Sequence, residues 1–224
     1  STKPASIAQA ATEEQAKAIA EKNAKTERAK TIFLLTPSDD VIYVIDRSGS
    51  MIDTFEEVKV GLLKSLGSLL TPKPIASGAG KRFGVILFAQ NKPQTIEGGK
   101  LLELTDRNFL QTIGFLDNVI PVGQTDPLPA LKLAFDTHFA ALDKIKPRIQ
   151  QIVLLTDGCF PDNSAVLKLV EAECKRNPAV NVCTILYGYI DGMKSERMRK
   201  AAAVMKKITS YSVGTYRYVE RSDD

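Results

Sequence analysis

The 224 residues carry 30 basic and 26 acidic side chains, a net charge of only +4. With no basic stripe interleaved with aromatics, that balance argues against a nucleic-acid-binding surface; the densest cluster, KSERMRKAAAVMKK at 194–207, reads as the solvated face of a helix. Cys159, Cys174 and Cys183 lack metal-ligand spacing and read as buried small hydrophobes, and no apolar run is long enough to span a bilayer.

Residues 1–30 are rich in Ala, Lys, Glu and Gln, with only Ile7 and Ile19 as sizeable aliphatics. Helix propensity is high there but little can be buried, so a helical or partly disordered N-terminal extension is expected ahead of a domain at 31–224. The first strand-like run, VIYVID at 41–46, ends on Asp46 and opens into Arg47-Ser48-Gly49-Ser50. Phe55, Val58, Leu62, Leu66 and Leu69 then recur at helical spacing over 54–70. The SGAGKR stretch at 77–82 precedes a strand instead of following one, and Arg82 stands after its lysine, so it is a surface loop and not a phosphate cradle. A strand is predicted at 82–89, a short edge strand within 94–103, and helices at 106–117 and 126–143, with Pro127 in the first turn of the latter. Strand QQIVLLT at 150–156 runs into Asp157 and Gly158; helix 162–176, strand 181–187, helix 194–207 and strand 213–219 complete the alternation. Strands apolar on nearly every residue are covered on both faces, which predicts an α/β fold: a doubly wound, mostly parallel central sheet flanked by helices.

In such sheets ligands sit at the carboxyl ends of the strands. Two strands here end on acids, Asp46 and Asp157, and a carboxylate is costly to bury unless it is paired, hydrogen-bonded or cation-bound. With Ser48 and Ser50 the set is all oxygen, which suits Mg²⁺, Mn²⁺ or Ca²⁺ over zinc or copper. Gly49 is expected to allow a tight turn that points both hydroxyls the same way. Because hydroxyls are neutral, a cation held this way stays short of negative charge and recruits a carboxylate from outside.

The run DRSGS at 46–50, Thr125 in PVGQTDP and Asp157 in LLTDG together resemble the DxSxS-T-D pattern of the von Willebrand factor A domain family and its metal-ion-dependent adhesion site. The resemblance covers roughly 32–220. It implies a Rossmann-like fold and a metal site of Asp46, Ser48, Ser50, Thr125 and Asp157, with the serines and the threonine as direct ligands and the aspartates acting directly or through water. It also implies a non-enzymatic module that grips a protein partner's acidic side chain, through loops around Arg47, Gly49, Asp126 and Gly158. The wording IYVIDRSGSM is similar to bacterial proteins in which such a domain is joined to a membrane segment, implying a membrane-associated or extracytoplasmic setting for the full-length protein. The alternatives are a scaffold or switch subunit with a structural metal, and a metal-assisted hydrolase.

Turn and cap chemistry is the plainer reading of these side chains. Asp126 is expected to cap the helix after it, and Arg47 to partner a surface carboxylate. His138, the one histidine, falls within a helical pattern and is expected at the surface or an interface. A pairing between Cys174, on a helix, and Cys183, on the next strand, stays open at this level.

Overall fold

The apolar runs form strands because side chains alternate between two covered faces of one sheet. The computed structural model describes residues 32–33, 38–70, 80–142, 145, 147–189 and 192–221; the expected extension 1–30 lies outside them, as does most of the 71–81 loop. Strands β1 (Asp40–Asp46), β2 (Arg82–Phe88), β5 (Gln150–Thr156), β6 (Val180–Tyr189) and β7 (Tyr216–Arg221) run parallel in the order β2-β1-β5-β6-β7. Two short edge pieces, β3 (Gln94–Thr95) and β4 (Leu102–Glu103), both pair antiparallel with β2. The single edge strand expected within 94–103 is thus split, because Glu97 and Gly98 turn through positive φ between the two pieces.

Five α-helices flank the sheet among the described residues: α1 (Phe55–Leu70), α2 (Asp106–Asp117), α3 (Leu128–Ala140), α4 (Asn163–Arg176) and α5 (Glu196–Thr209). Val41, Tyr43 and Ile45 point to one face, where Phe55, Val58, Leu62 and Leu66 of α1 and Leu116 of α2 cover them. Ile42 and Val44 point to the other, under Leu131 and Phe135 of α3, Val166 and Val170 of α4, and Ala202, Met205 and Ile208 of α5. Each large aliphatic or aromatic side chain buried this way contributes roughly 1.5–3 kcal/mol. Thr105, Asp162 and Ser195 accept backbone N–H bonds at the starts of α2, α4 and α5, satisfying donors that a helix start leaves open. No helix among the described residues is long and apolar enough to cross a membrane.

Polar groups gather at the amino ends of the strands. Asp40, fully buried, accepts from Arg82 Nε at 2.9 Å and Nη2 at 2.6 Å, and from Arg148 Nε at 2.9 Å. Burial alone would raise its carboxyl, but the two guanidiniums outweigh that and hold it below the usual carboxylate value. His138 is not at the surface as expected: it is 0% exposed, and its Nε2–H donates to the Gln151 carbonyl at 3.0 Å. Helix α3 turns that position onto the sheet beside Leu131 and Phe135, while Phe139 is 44% exposed under the Arg176 guanidinium. The three cysteines are free. Cys174 packs in the cluster on one face of the sheet and Cys183 in the cluster on the other, so the sheet itself separates them.

Candidate metal centre

Asp46 and Thr156 close two adjacent parallel strands, and their side chains meet. Ile45 of β1 stands opposite Leu155 of β5, so the next residue on each strand reaches the same carboxyl-end rim. Asp46 is fully buried; its Oδ2 accepts from Thr156 Oγ1 at 2.6 Å and its Oδ1 from the Ser48 backbone N–H at 2.7 Å. The second contact is the local bond that Asp side chains form two residues ahead, and it folds the chain into the turn that follows. Ser48 Oγ lies 3.2 Å from Ser50 Oγ, so both hydroxyls do share one side of the turn. Ser50 Oγ in turn donates to Asp157 Oδ1 at 2.9 Å, which joins the two strand ends across 107 positions of sequence.

The loop before α3 closes the third side. Its Gly123 carbonyl accepts from the Gly49 N–H at 2.9 Å, and its Val122 N–H donates to the Arg47 carbonyl at 2.8 Å. Thr125, half-buried, follows two residues later. The glycine that needs its freedom here is Gly123, at φ 94°, and not Gly49, where a Cβ would meet only the Gly123 carbonyl at an ordinary 3.7 Å. Asp126 Oδ1 accepts from the Leu128 N–H at 3.1 Å, the capping role expected of it, while Pro127 stands at the cap position, one residue ahead of the first turn. Arg47 Nη1 donates to the Ile120 carbonyl at 3.3 Å, so it braces this loop, and among the described residues it does not pair with a carboxylate. Gly158 donates its N–H to Thr156 Oγ1 at 3.3 Å, and Cys159, half-buried, donates to the Arg197 carbonyl at 3.4 Å.

Electrostatically the rim is unbalanced. Burial pushes the Asp46 carboxyl up to about 6, against its bonds from Thr156 and Ser48, and the neighbouring Asp157 adds to the rise. Burial also raises Asp157, opposed by the Ser50 bond and by the fields of Arg221 and Arg197. Every hydrogen-bond donor on Asp46 is neutral. Two carboxylates, two serine hydroxyls and a nearby threonine suit a hard divalent cation in their donor chemistry, and the uncompensated charge on a buried Asp46 suits it in sign. Among the described residues no group of three or more His, Cys, Asp or Glu side chains forms an alternative metal cage. Thr156 closes its strand directly before Asp157, as the LLTDG run indicates, whereas Arg197 and Arg221 have no signature in the sequence: the ends of α5 and β7 bring them in.

The model of the von Willebrand factor type A domain family matches residues 40–222. No curated protein matches significantly. Among solved structures, a conserved hypothetical protein, BatB of Bacteroides thetaiotaomicron, superposes at TM-score 0.58 with 16% identity over 82% of this chain and 91% of that one. The pilus adhesin SpaC of Lactobacillus rhamnosus GG, in an open conformation, superposes at TM-score 0.61 with 17% identity over 81% of this chain and 28% of the adhesin. Proximal thread matrix protein 1 of the mussel byssus, whose adhesion-site motif is occupied by zinc, superposes at TM-score 0.52 with 18% identity over 81% of this chain and 41% of that one. Identities at this level show the shared fold alone.

Proposed function

Because the chain belongs to the von Willebrand factor type A domain family, we propose that it is a divalent-cation-dependent protein-binding module. In this reading Asp46, Ser48 and Ser50, with Thr125 and Asp157, hold Mg²⁺ (or Mn²⁺ or Ca²⁺), and an acidic side chain of a protein partner completes the coordination. The observation that carries it is Asp46: a fully buried carboxylate that accepts only neutral donors and lies beside a second carboxylate.

A bound cation would supply positive charge and an open coordination position. The chain's own residues do the rest. Thr156 and the Ser48 N–H hold the Asp46 carboxylate in one orientation, and Ser48 and Ser50 contribute oxygens without adding charge. The hydrogen bonds from Gly49 and Val122 keep the loop bearing Thr125 against the same rim. Two formal negative charges balance a divalent ion, and neutral hydroxyl ligands that share its coordination with few carboxylate oxygens leave a position open, which fits gripping a carboxylate better than turnover.

Catalysis is the weaker reading. A hydrolase needs a base near the reacting centre, and His138 is buried at the amino end of β5 while the rim lies at its carboxyl end, which leaves that task to Asp46 or Asp157, the carboxylates this reading gives to the metal. The pilus adhesin and the zinc-bearing matrix protein, which share the fold, accord with adhesion.

Thermal unfolding tests the proposal. A ligand that binds only the folded state stabilises by about 2.7 kcal/mol at a hundredfold excess over its Kd. In a chain of this size that raises Tm by roughly 5–10 °C. Mg²⁺ should produce that shift in the wild type, EDTA should reverse it, and Asp157→Ala should abolish it. An unmoved Tm in Mg²⁺, Mn²⁺ and Ca²⁺ alike would sink the reading.

A further inference from the structure

The surface around the rim is polarised. On the β2 side, Ile52, Ile120 and Val122 are 61%, 73% and 58% exposed. They sit on the two loops that the Gly49–Gly123, Val122–Arg47 and Arg47–Ile120 bonds tie together. A Cβ on Gly123 would meet the Gln90 side chain at 3.0 Å, which sets this loop over the end of β2. Three exposed aliphatics beside a charged rim are not scattered singles of the kind any surface carries.

On the opposite side, past β5, lie two arginines. Arg197, exposed in the first turn of α5, brings its Nη2 within 3.2 Å of where a Cβ on Gly158 would stand. Arg221 ends β7, is 7% exposed and stacks on the Tyr189 ring at 3.2 Å. Among the described residues its buried Nε and Nη1 have no hydrogen-bond partner, a condition that costs stability until an anion comes near. Neither arginine forms an ion pair among the described residues, yet both fields reach Asp157.

We infer that this face selects a partner segment with three features in a row. A carboxylate addresses the candidate metal, an aliphatic neighbour seats on Ile52, Ile120 and Val122, and a second carboxylate on the other side meets Arg197 above Arg221. The inference rests on the metal-and-carboxylate reading above and adds the chemistry on either side of it. The apolar loops and the cationic pair flank the rim from opposite sides along the strand order β2-β1-β5-β6-β7.

Capped pentapeptides titrated into the ¹⁵N-labelled full chain with Mg²⁺ at low ionic strength test it. The probes are Gly-Leu-Glu-Glu-Gly, Gly-Gly-Glu-Glu-Gly, Gly-Leu-Glu-Gly-Gly and Gly-Gly-Glu-Gly-Gly, the first three also in reverse order. Leucine should tighten binding about fivefold to tenfold, the worth of a partly buried aliphatic side chain. The second glutamate should tighten it about threefold, as an exposed ion pair does. Arg197→Gln should bring the second ratio towards one, and Ile120→Ser with Val122→Ser the first. Equal affinities for all peptides, with binding still Mg²⁺-dependent, would overturn this inference alone, as would ratios that the variants leave unmoved. Absence of Mg²⁺-dependent binding to every peptide would overturn the metal-and-carboxylate reading and this inference with it.

Discussion

Asp46 and His138 are both 0% exposed, one at each end of the sheet, and burial disfavours the charged form of each. For Asp46 the local signal was strong: an acid directly after five apolar or aromatic residues, followed by two serines at alternate positions, is a pattern that core packing alone does not require. For His138 the signal misled, because Thr137, His138 and Phe139 are consecutive on a helix and only the helix's rotation against the sheet decides which of them is buried. Burial lowers the His138 imidazole to about 4 from 6.5, with the Gln151 bond and the Asp40 charge opposing that fall and Arg82 adding to it. The unfolded chain therefore binds more protons than the folded one between those values, so stability falls as pH drops from about 6.5 to about 4. The loss amounts to about 3 kcal/mol. Urea denaturation at a series of pH values should show this loss in the wild type and its absence in His138→Leu; the difference between the two isolates the histidine's share.

The elements were legible where periodicity was long. β5 and α2 match the sequence expectation residue for residue, and β1, β2, α1, α4 and α5 fall within two residues of it at either end. Two elements departed further: α3, expected at 126–143, is found at Leu128–Ala140, and β7, expected at 213–219, at Tyr216–Arg221. Val213 is 85% exposed, and a Cβ on Gly214 would stand 1.9 Å from the Val182 carbonyl oxygen. The chain thus passes against β6 there before its ladder begins at Tyr216. Periodicity carries no information about such an approach, since it depends on a strand more than thirty positions away. Backbone cannot yield as a flexible side chain does, so Gly214→Ala should cost more than about 3 kcal/mol in chemical denaturation, or leave β7 undocked. Gly188→Ala should be milder, because the nearest atom its Cβ would meet, at 2.6 Å, is the terminal methyl of Met198.

At the scale of the molecule, the sheet order assembles the candidate site. Parallel strands all present their carboxyl ends to one rim, and placing β5 beside β1 brings Asp157 to Asp46 from more than a hundred positions away. We propose that the folding unit begins at about residue 31. Ile32 and Phe33 are buried in the cluster under α1, with Phe33 edge-on to Tyr43 at 5.4 Å between ring centroids. A chain starting at residue 31 should keep the wild-type Tm and Mg²⁺ response in differential scanning calorimetry. One starting at residue 34 loses two core side chains and should fall by about 3–6 kcal/mol. The sequence by itself determined the α/β alternation, the two-faced core and the candidate ligands, because burial periodicity and acid-bearing strand ends are local patterns. Only the tertiary structure decided that Thr156 steadies Asp46, that His138 is buried, that Cys174 and Cys183 are held apart, and that aliphatics and arginines flank the rim on opposite sides. Those facts depend on strand register and helix rotation, which are set by packing between segments distant in the chain and leave no trace in any one of them.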